Sequence, residues 1–115
     1  MGAWTKCGDG FIRADVIRWK EAVWDSPRRK KAEPLRIGER LITAEVIGDD
    51  GEWVRLLVRE CVETARFSAR KPVVLFKAGT VIRRARKTIS KYGKPERLLW
   101  SDESARACLL EDKRD

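Results

Sequence analysis

Residues 40–62, RLITAEVIGDDGEWVRLLVRECV, decide the fold. Apolar residues occupy even-numbered positions in both halves of this segment: Ile42, Ala44 and Val46, then Val54, Leu56, Val58 and Val62. Period-two alternation predicts strands, and antiparallel pairing of 46 with 54, 44 with 56 and 42 with 58 places both apolar sets on one face. That register predicts a hairpin with Asp49-Asp50-Gly51 as a three-residue loop, because glycine readily supplies the positive φ required there.

The opposite face of the second predicted strand alternates apolar and basic residues: Trp53, Arg55, Leu57, Arg59 and Cys61. We interpret this face as partly covered, with Leu57 and Cys61 packed under another element and the arginines extending to solvent. A binding face is the alternative.

The segment before the hairpin, residues 11–24, fits two structures. Ile12, Val16, Trp19 and Val23 have helical spacing, whereas the density of β-branched and aromatic residues favours a strand. We expect a strand, and either element must end before Pro27.

The second half of the chain is predicted to contain helices. Residues 71–76 indicate a short strand, after which the apolar spacing over 80–92 predicts a helix with Thr80 as N-cap and Gly93 just beyond its end. A twisted strand over 80–92 is the alternative. A last helix is expected from 102 to about 111, capped by Ser101.

These elements predict an α+β fold: a small antiparallel sheet, for which a barrel-like form is the alternative, with one or two helices in the C-terminal half. We expect residues 1–115 to form a single globular domain, with 1–10 and 112–115 flexible, because the chain is 43% hydrophobic and contains five tryptophans. Since no apolar run approaches the roughly 18 residues of a membrane span, a cytoplasmic protein is expected.

The residue types needed for most catalytic sites are missing. The chain has no histidine, which excludes Ser-His-Asp and Cys-His arrangements. Cys7, Cys61 and Cys108 are too widely spaced for a disulfide framework or a zinc site. The carboxylate pairs Asp49-Asp50 and Asp102-Glu103 are interpreted as loop and helix-start residues. We therefore predict no catalytic residues, no metal and no cofactor.

Positive charge is concentrated in one part of the chain. Residues 66–97 contain eleven Lys or Arg and one acid, Glu96, a net charge of +10, whereas the whole chain carries +8 and the remainder therefore −2. Such asymmetry suits a polyanionic partner and favours nucleic acid, DNA or RNA, bound through its phosphates. The predicted contact residues are Arg28, Arg29, Lys30, Lys31, Arg66, Arg70, Lys71, Arg83, Arg84, Arg86, Lys87 and Lys91.

Two further possibilities follow from the same residues. An acidic protein surface is the alternative partner, with exposed tryptophans as anchors. Trp19, Trp24 or Trp100 would stack on unpaired bases if exposed, although tryptophan in a small domain is more often a core residue.

Overall fold

The two longest strands, Leu35–Asp49 and Trp53–Arg66, pair antiparallel with each other. The structure is a computed structural model that describes residues 3–25, 35–68 and 72–112. Its elements are β1 (Trp4–Lys6), β2 (Val16–Asp25), β3 (Leu35–Asp49), β4 (Trp53–Arg66), β5 (Val81–Ala85), α1 (Arg86–Tyr92), β6 (Glu96–Leu98) and α2 (Glu103–Asp112).

All six strands belong to one antiparallel sheet with the order β1-β6-β2-β3-β4-β5. The sheet is open, since β1 and β5 are its edges in the described part of the chain, so the barrel-like closure considered from the sequence is not formed. The α+β class is confirmed, as is the expectation of a strand within residues 11–24. β1 lies inside the segment 1–10 that was expected to be flexible.

The hairpin is confirmed, but its register and loop differ from the prediction. Val46 pairs with Leu56 and Ala44 with Val58, because the chain turns later than predicted and a bulge lies between Val46 and Gly48. The loop between the two strands is residues 50–52, one residue later than predicted. Gly51 has the expected positive φ, +97°.

Side chains of the loop stabilise the turn. The Asp49 carboxylate accepts a hydrogen bond from the Gly51 amide at 2.8 Å, and Asp50 accepts one from the Trp53 amide at 2.7 Å. Such local bonds are the usual reason that aspartate is favoured in turns. Asp50 lies in the loop as predicted, whereas Asp49 is the last residue of β3 and stabilises the turn from there.

One face of the sheet carries the core. The predicted apolar set on β3 and the first part of β4 is buried there together with Phe11, Ile17, Trp19, Ile82 and Ile89. Val62 is an exception. Because of the bulge between Thr43 and Ala44, Ile42 pairs with Cys61 and not with Val62, and Val62 is 38% exposed. Cys61 is therefore partly buried against the core and not on the opposite face, where the alternation predicted it.

The strand predicted over 71–76 is wrong for its described residues, 72–76, which form no strand. Val73 instead packs against Val23 and Ile37 in a small separate cluster. The Val74 carbonyl accepts a hydrogen bond from the Arg40 side chain at 2.6 Å rather than from a ladder partner.

The helix predicted over 80–92 is half strand and half helix. Val81 and Ile82 pair with Leu57 and Leu56 of β4, so the β-branched residues extend the sheet before α1 begins. Thr80 is therefore not the N-cap, because α1 follows Ala85 and has no side-chain cap. Gly93 does end the helix, with a right-handed φ of −85°.

The last predicted helix corresponds to α2, with a different cap. Asp102, not Ser101, accepts hydrogen bonds from the amides of Ser104 and Ala105, at 3.0 and 3.3 Å. Aspartate is a strong N-cap because its side chain satisfies amides that the first turn leaves free. No helix in the described ranges is long and apolar enough to cross a membrane.

Candidate nucleic-acid interface

The described arginines and lysines behave differently. Most arginines form ion pairs: Arg18, Arg36, Arg40, Arg59, Arg66, Arg84, Arg86, Arg97 and Arg106. In the part of the chain that the structure describes, none of these pairs involves a lysine, and the lysines there are Lys6, Lys20, Lys77, Lys87, Lys91 and Lys94. Arginine suits such pairs because its planar guanidinium matches a carboxylate.

Arg84 of the predicted contact residues belongs to a partly buried charge cluster. Its Nε donates to Glu21 at 2.7 Å, and Arg40 pairs with the same carboxylate from β3. The Phe76 ring lies 4.4 Å from the Arg40 guanidinium and 5.6 Å from that of Arg84. Arg84 therefore joins β5 to β2, and a phosphate would have to compete with Glu21 for it.

The pKa of Glu21 reports the same cluster. Burial alone would raise this pKa, but hydrogen bonds and charge from Arg84 and Arg40 outweigh burial and hold it below its ordinary value. Glu21 is therefore ionised at neutral pH, and its two partners remain attached.

Arg86 connects the start of α1 to two loops. Its guanidinium donates to the backbone carbonyls of Asp9 and Phe11, at 2.5 and 2.9 Å, and forms an ion pair with Asp49. It also lies 4.2 Å from the centre of the Phe11 ring. These contacts are structural, and the predicted contact residue Arg66 is likewise paired, with Glu63 at 2.8 Å.

Three of the predicted contact residues have no ion pair among the described residues: Arg83, Lys87 and Lys91. Arg83 lies over the Trp53 ring at 4.3 Å. Lys87 and Lys91 are exposed and stand one helical turn apart on α1, so they share one side of that helix. Arg28, Arg29, Lys30, Lys31, Arg70 and Lys71 lie outside the described residues.

The fold adds three lysines that the sequence did not indicate as contacts. Lys6, Lys20 and Lys94 line one hollow of about 530 Å³ with Arg18 and Glu96. We call it the lysine hollow; it contains four cations and a single carboxylate, and Glu96 is paired with Arg18 at 3.1 Å. Each lysine comes from a different segment, so only the folded sheet brings them together.

A second hollow lies beside the first and shares Trp19 and Lys20 with it. We call it the aromatic hollow because Trp24 and Tyr92 also line it. Helix α1 lies between the two, with Thr88 and Tyr92 facing the aromatic hollow and Ser90 facing the lysine hollow.

Five exposed lysines therefore lie either on α1 or in the lysine hollow beside it, and we call them the lysine surface: Lys6, Lys20, Lys87, Lys91 and Lys94. The backbone beneath them is well fixed. Ile89 is 1% exposed, the Lys20 amide donates to the Gly93 carbonyl at 3.0 Å, and a Cβ on Gly93 would lie 2.8 Å from the Cβ of Trp19. The lysine surface is therefore carried on packed elements.

The tryptophans considered for base stacking divide between core and surface. Trp19 is 2% exposed and belongs to the core. Trp100 is half-buried, and its indole Nε1 donates to Asp15 at 2.7 Å. Trp24 alone of these three is largely exposed, at 57%.

Groups suited to catalysis or metal binding have structural surroundings. Burial, with the charge of Asp15, raises the pKa of the Cys7 thiol to about 11, so this residue is a neutral, weakly nucleophilic thiol at neutral pH. Across residues 3–25, 35–68 and 72–112, no group of three or more Cys, Asp or Glu is placed to hold a metal ion.

The function of the chain therefore has to be inferred from its own residues and geometry. Comparison with protein-family models, with curated proteins and with solved structures found no match.

Proposed function

We propose that this chain is a non-catalytic protein that binds nucleic acid, DNA or RNA, through phosphate contacts made by the lysine surface. The observation that supports it best is the difference in ion pairing between arginines and lysines. Most of the described arginines are paired with carboxylates, whereas five exposed lysines on α1 or in the lysine hollow have no ion pair among the described residues. A cytoplasmic location stays a prediction.

The unpaired state of the lysines matters energetically. A cation already paired with a carboxylate must lose that partner before it contacts a phosphate. An exposed ammonium gives up only water, and the phosphate releases a condensed counterion, which favours binding at low salt. If all five lysines contact a duplex, the slope of log K against log salt reaches about −4.5, from roughly 0.9 per neutralised phosphate.

The test is a fluorescence-anisotropy titration with mixed-sequence single- and double-stranded oligonucleotides between about 50 and 200 mM salt. The informative variant is Lys87→Gln with Lys91→Gln, since both side chains are exposed and neither has an ion pair among the described residues. This double variant should bind a duplex more weakly than wild type. Its slope of log K against log salt should be flatter by about 1.8, which corresponds to two lost phosphate contacts. Arg84 is unsuitable for this test because its replacement breaks the Glu21 cluster.

The matched control is Arg55→Gln with Lys77→Gln, which removes the same charge elsewhere. Arg55 lies opposite Arg83 in the β4–β5 ladder, on the sheet face away from the core. Lys77 lies before the start of β5, whereas α1 begins after β5 ends. The control should retain most of the salt slope. Equal losses in both double variants would mean that net charge alone attracts the nucleic acid. Absence of binding at 50 mM salt would leave an acidic protein surface as the partner predicted from the sequence.

A further inference from the structure

The aromatic hollow combines two exposed rings in one place. Trp24 is 57% exposed and Tyr92 70% exposed, and both line this cavity of about 470 Å³. Cavities of roughly 300–1,000 Å³ are the usual size of small-ligand pockets. Because the free energy falls when large aromatic side chains leave water, two exposed rings beside one cavity indicate a surface suited to a flat apolar ligand.

Both rings stand on ordered backbone. Trp24 is near the end of β2, directly after a bulge between Val23 and Trp24, and Val23 is 8% exposed in the small cluster with Ile37 and Val73. Tyr92 is the last residue of α1, beside the tightly packed Gly93. Their backbone positions are therefore fixed before any ligand arrives, which limits the entropy lost on binding.

The hollow has an apolar floor and a positive rim. Trp19 and Ile89 line it and are 2% and 1% exposed, so only their edges reach a ligand. Its two carboxylates are already engaged, Glu21 by Arg84 and Arg40, and Glu39 by Arg36. Lys20 remains on the rim, and the Nζ of Lys91 lies 5.3 Å from the centre of the Tyr92 ring.

We propose that the aromatic hollow binds an unpaired base of single-stranded nucleic acid. The base stacks on Trp24 or Tyr92, and Lys20 and Lys91 contact the neighbouring phosphates. The inference rests on the proposed function and adds the substrate class, a single strand. In a duplex the faces of the bases are covered by their neighbours, so the two rings have no base face to stack on, whereas every base of a single strand presents one.

The test compares a single-stranded oligothymidylate with an abasic oligonucleotide of the same length and with a duplex, all by anisotropy. We expect wild type to prefer the oligothymidylate to both other probes. At least one of the variants Trp24→Ala and Tyr92→Ala should raise the Kd for oligothymidylate about fivefold or more, the lower end of what loss of one stacking ring causes. Neither should change the Kd for the abasic probe, which retains the phosphates alone.

Two further variants keep the result interpretable. Trp53→Ala removes a tryptophan that is 38% exposed and lies under Arg83, outside the aromatic hollow, and should leave the Kd for oligothymidylate unchanged. Trp24→Phe keeps a stacking ring and should restore much of the affinity.

The outcomes separate this inference from the proposed function. Unchanged oligothymidylate binding in both alanine variants, or an equal loss on the abasic probe, overturns base stacking but leaves phosphate binding intact. Equal affinity of wild type for the duplex and the single strand would likewise overturn base stacking and leave phosphate binding intact. Failure of wild type to bind any of the three probes overturns both.

Discussion

The buried ion pair between Asp15 and Arg106 gives the most demanding test of the fold. Asp15 is fully buried and accepts hydrogen bonds from the Ile12 amide at 2.8 Å, from Trp100 Nε1 at 2.7 Å and from Arg106 Nη2 at 2.8 Å. Arg106 is 7% exposed and also donates to the Gly10 carbonyl at 2.7 Å. The carboxylate thus joins α2, the segment before it and the start of β2.

Replacement Asp15→Ala leaves a buried guanidinium without its counter-charge. Loss of one partner of a buried pair costs about 3–5 kcal/mol, and the Ile12 amide and Trp100 indole lose their acceptor at the same time. These losses overlap, so we expect a total of about 3–5 kcal/mol. This is a large share of the 5–15 kcal/mol that is typical of a domain.

The assay is urea unfolding followed by far-ultraviolet circular dichroism, because Trp100 would alter the fluorescence signal directly. Asp102→Ala is the control, since it removes only the α2 cap and should cost about 1 kcal/mol. Asp15→Ala combined with Arg106→Met should be more stable than Asp15→Ala alone, because the unpaired charge is gone. A loss below about 1 kcal/mol for Asp15→Ala, or no recovery in the double variant, would refute a buried pair.

Two more predictions concern the sheet. Because the folded pKa of Glu21 lies below its unfolded value of about 4.3, its contribution is present above that pH and is lost as pH falls through the folded pKa. Wild type and Glu21→Gln should therefore differ most in urea midpoint at neutral pH and converge in acid; a constant difference would contradict this. Gly51→Val should destabilise the hairpin by about 1–3 kcal/mol, since a β-branched residue resists the φ of +97° there. Gly51→Asn, which tolerates a left-handed backbone better, should cost less, and equal urea midpoints for all three chains would show that the loop geometry is wrong.

The hairpin could be predicted because its determinants are local. Alternation over residues 40–58 and the Asp-Asp-Gly turn specify strands, faces and the positive φ of Gly51. The register could not be predicted, because the bulges on β3 and β4 insert unpaired residues that alternation alone does not reveal. Likewise, residues 81–85 joined the sheet because β4 offered a pairing partner, which outweighed helical spacing.

The candidate site was only partly predictable, for a similar reason. A basic stretch that includes Lys87 and Lys91 indicated charge, but charge along a chain does not show which cations pair with carboxylates. Glu21 and Arg84 are 63 residues apart in sequence, and their pairing depends on the sheet order. Lys20 and Lys94 are neighbours across the lysine hollow for the same reason.

The central claim is that unpaired lysines around α1, rather than net charge, bind phosphates. The most direct measurement is the salt slope of duplex binding for Lys87→Gln/Lys91→Gln beside Arg55→Gln/Lys77→Gln. We predict a slope flattened by about 1.8 in the first variant and close to wild type in the second. Equal slopes in the two variants would contradict the claim.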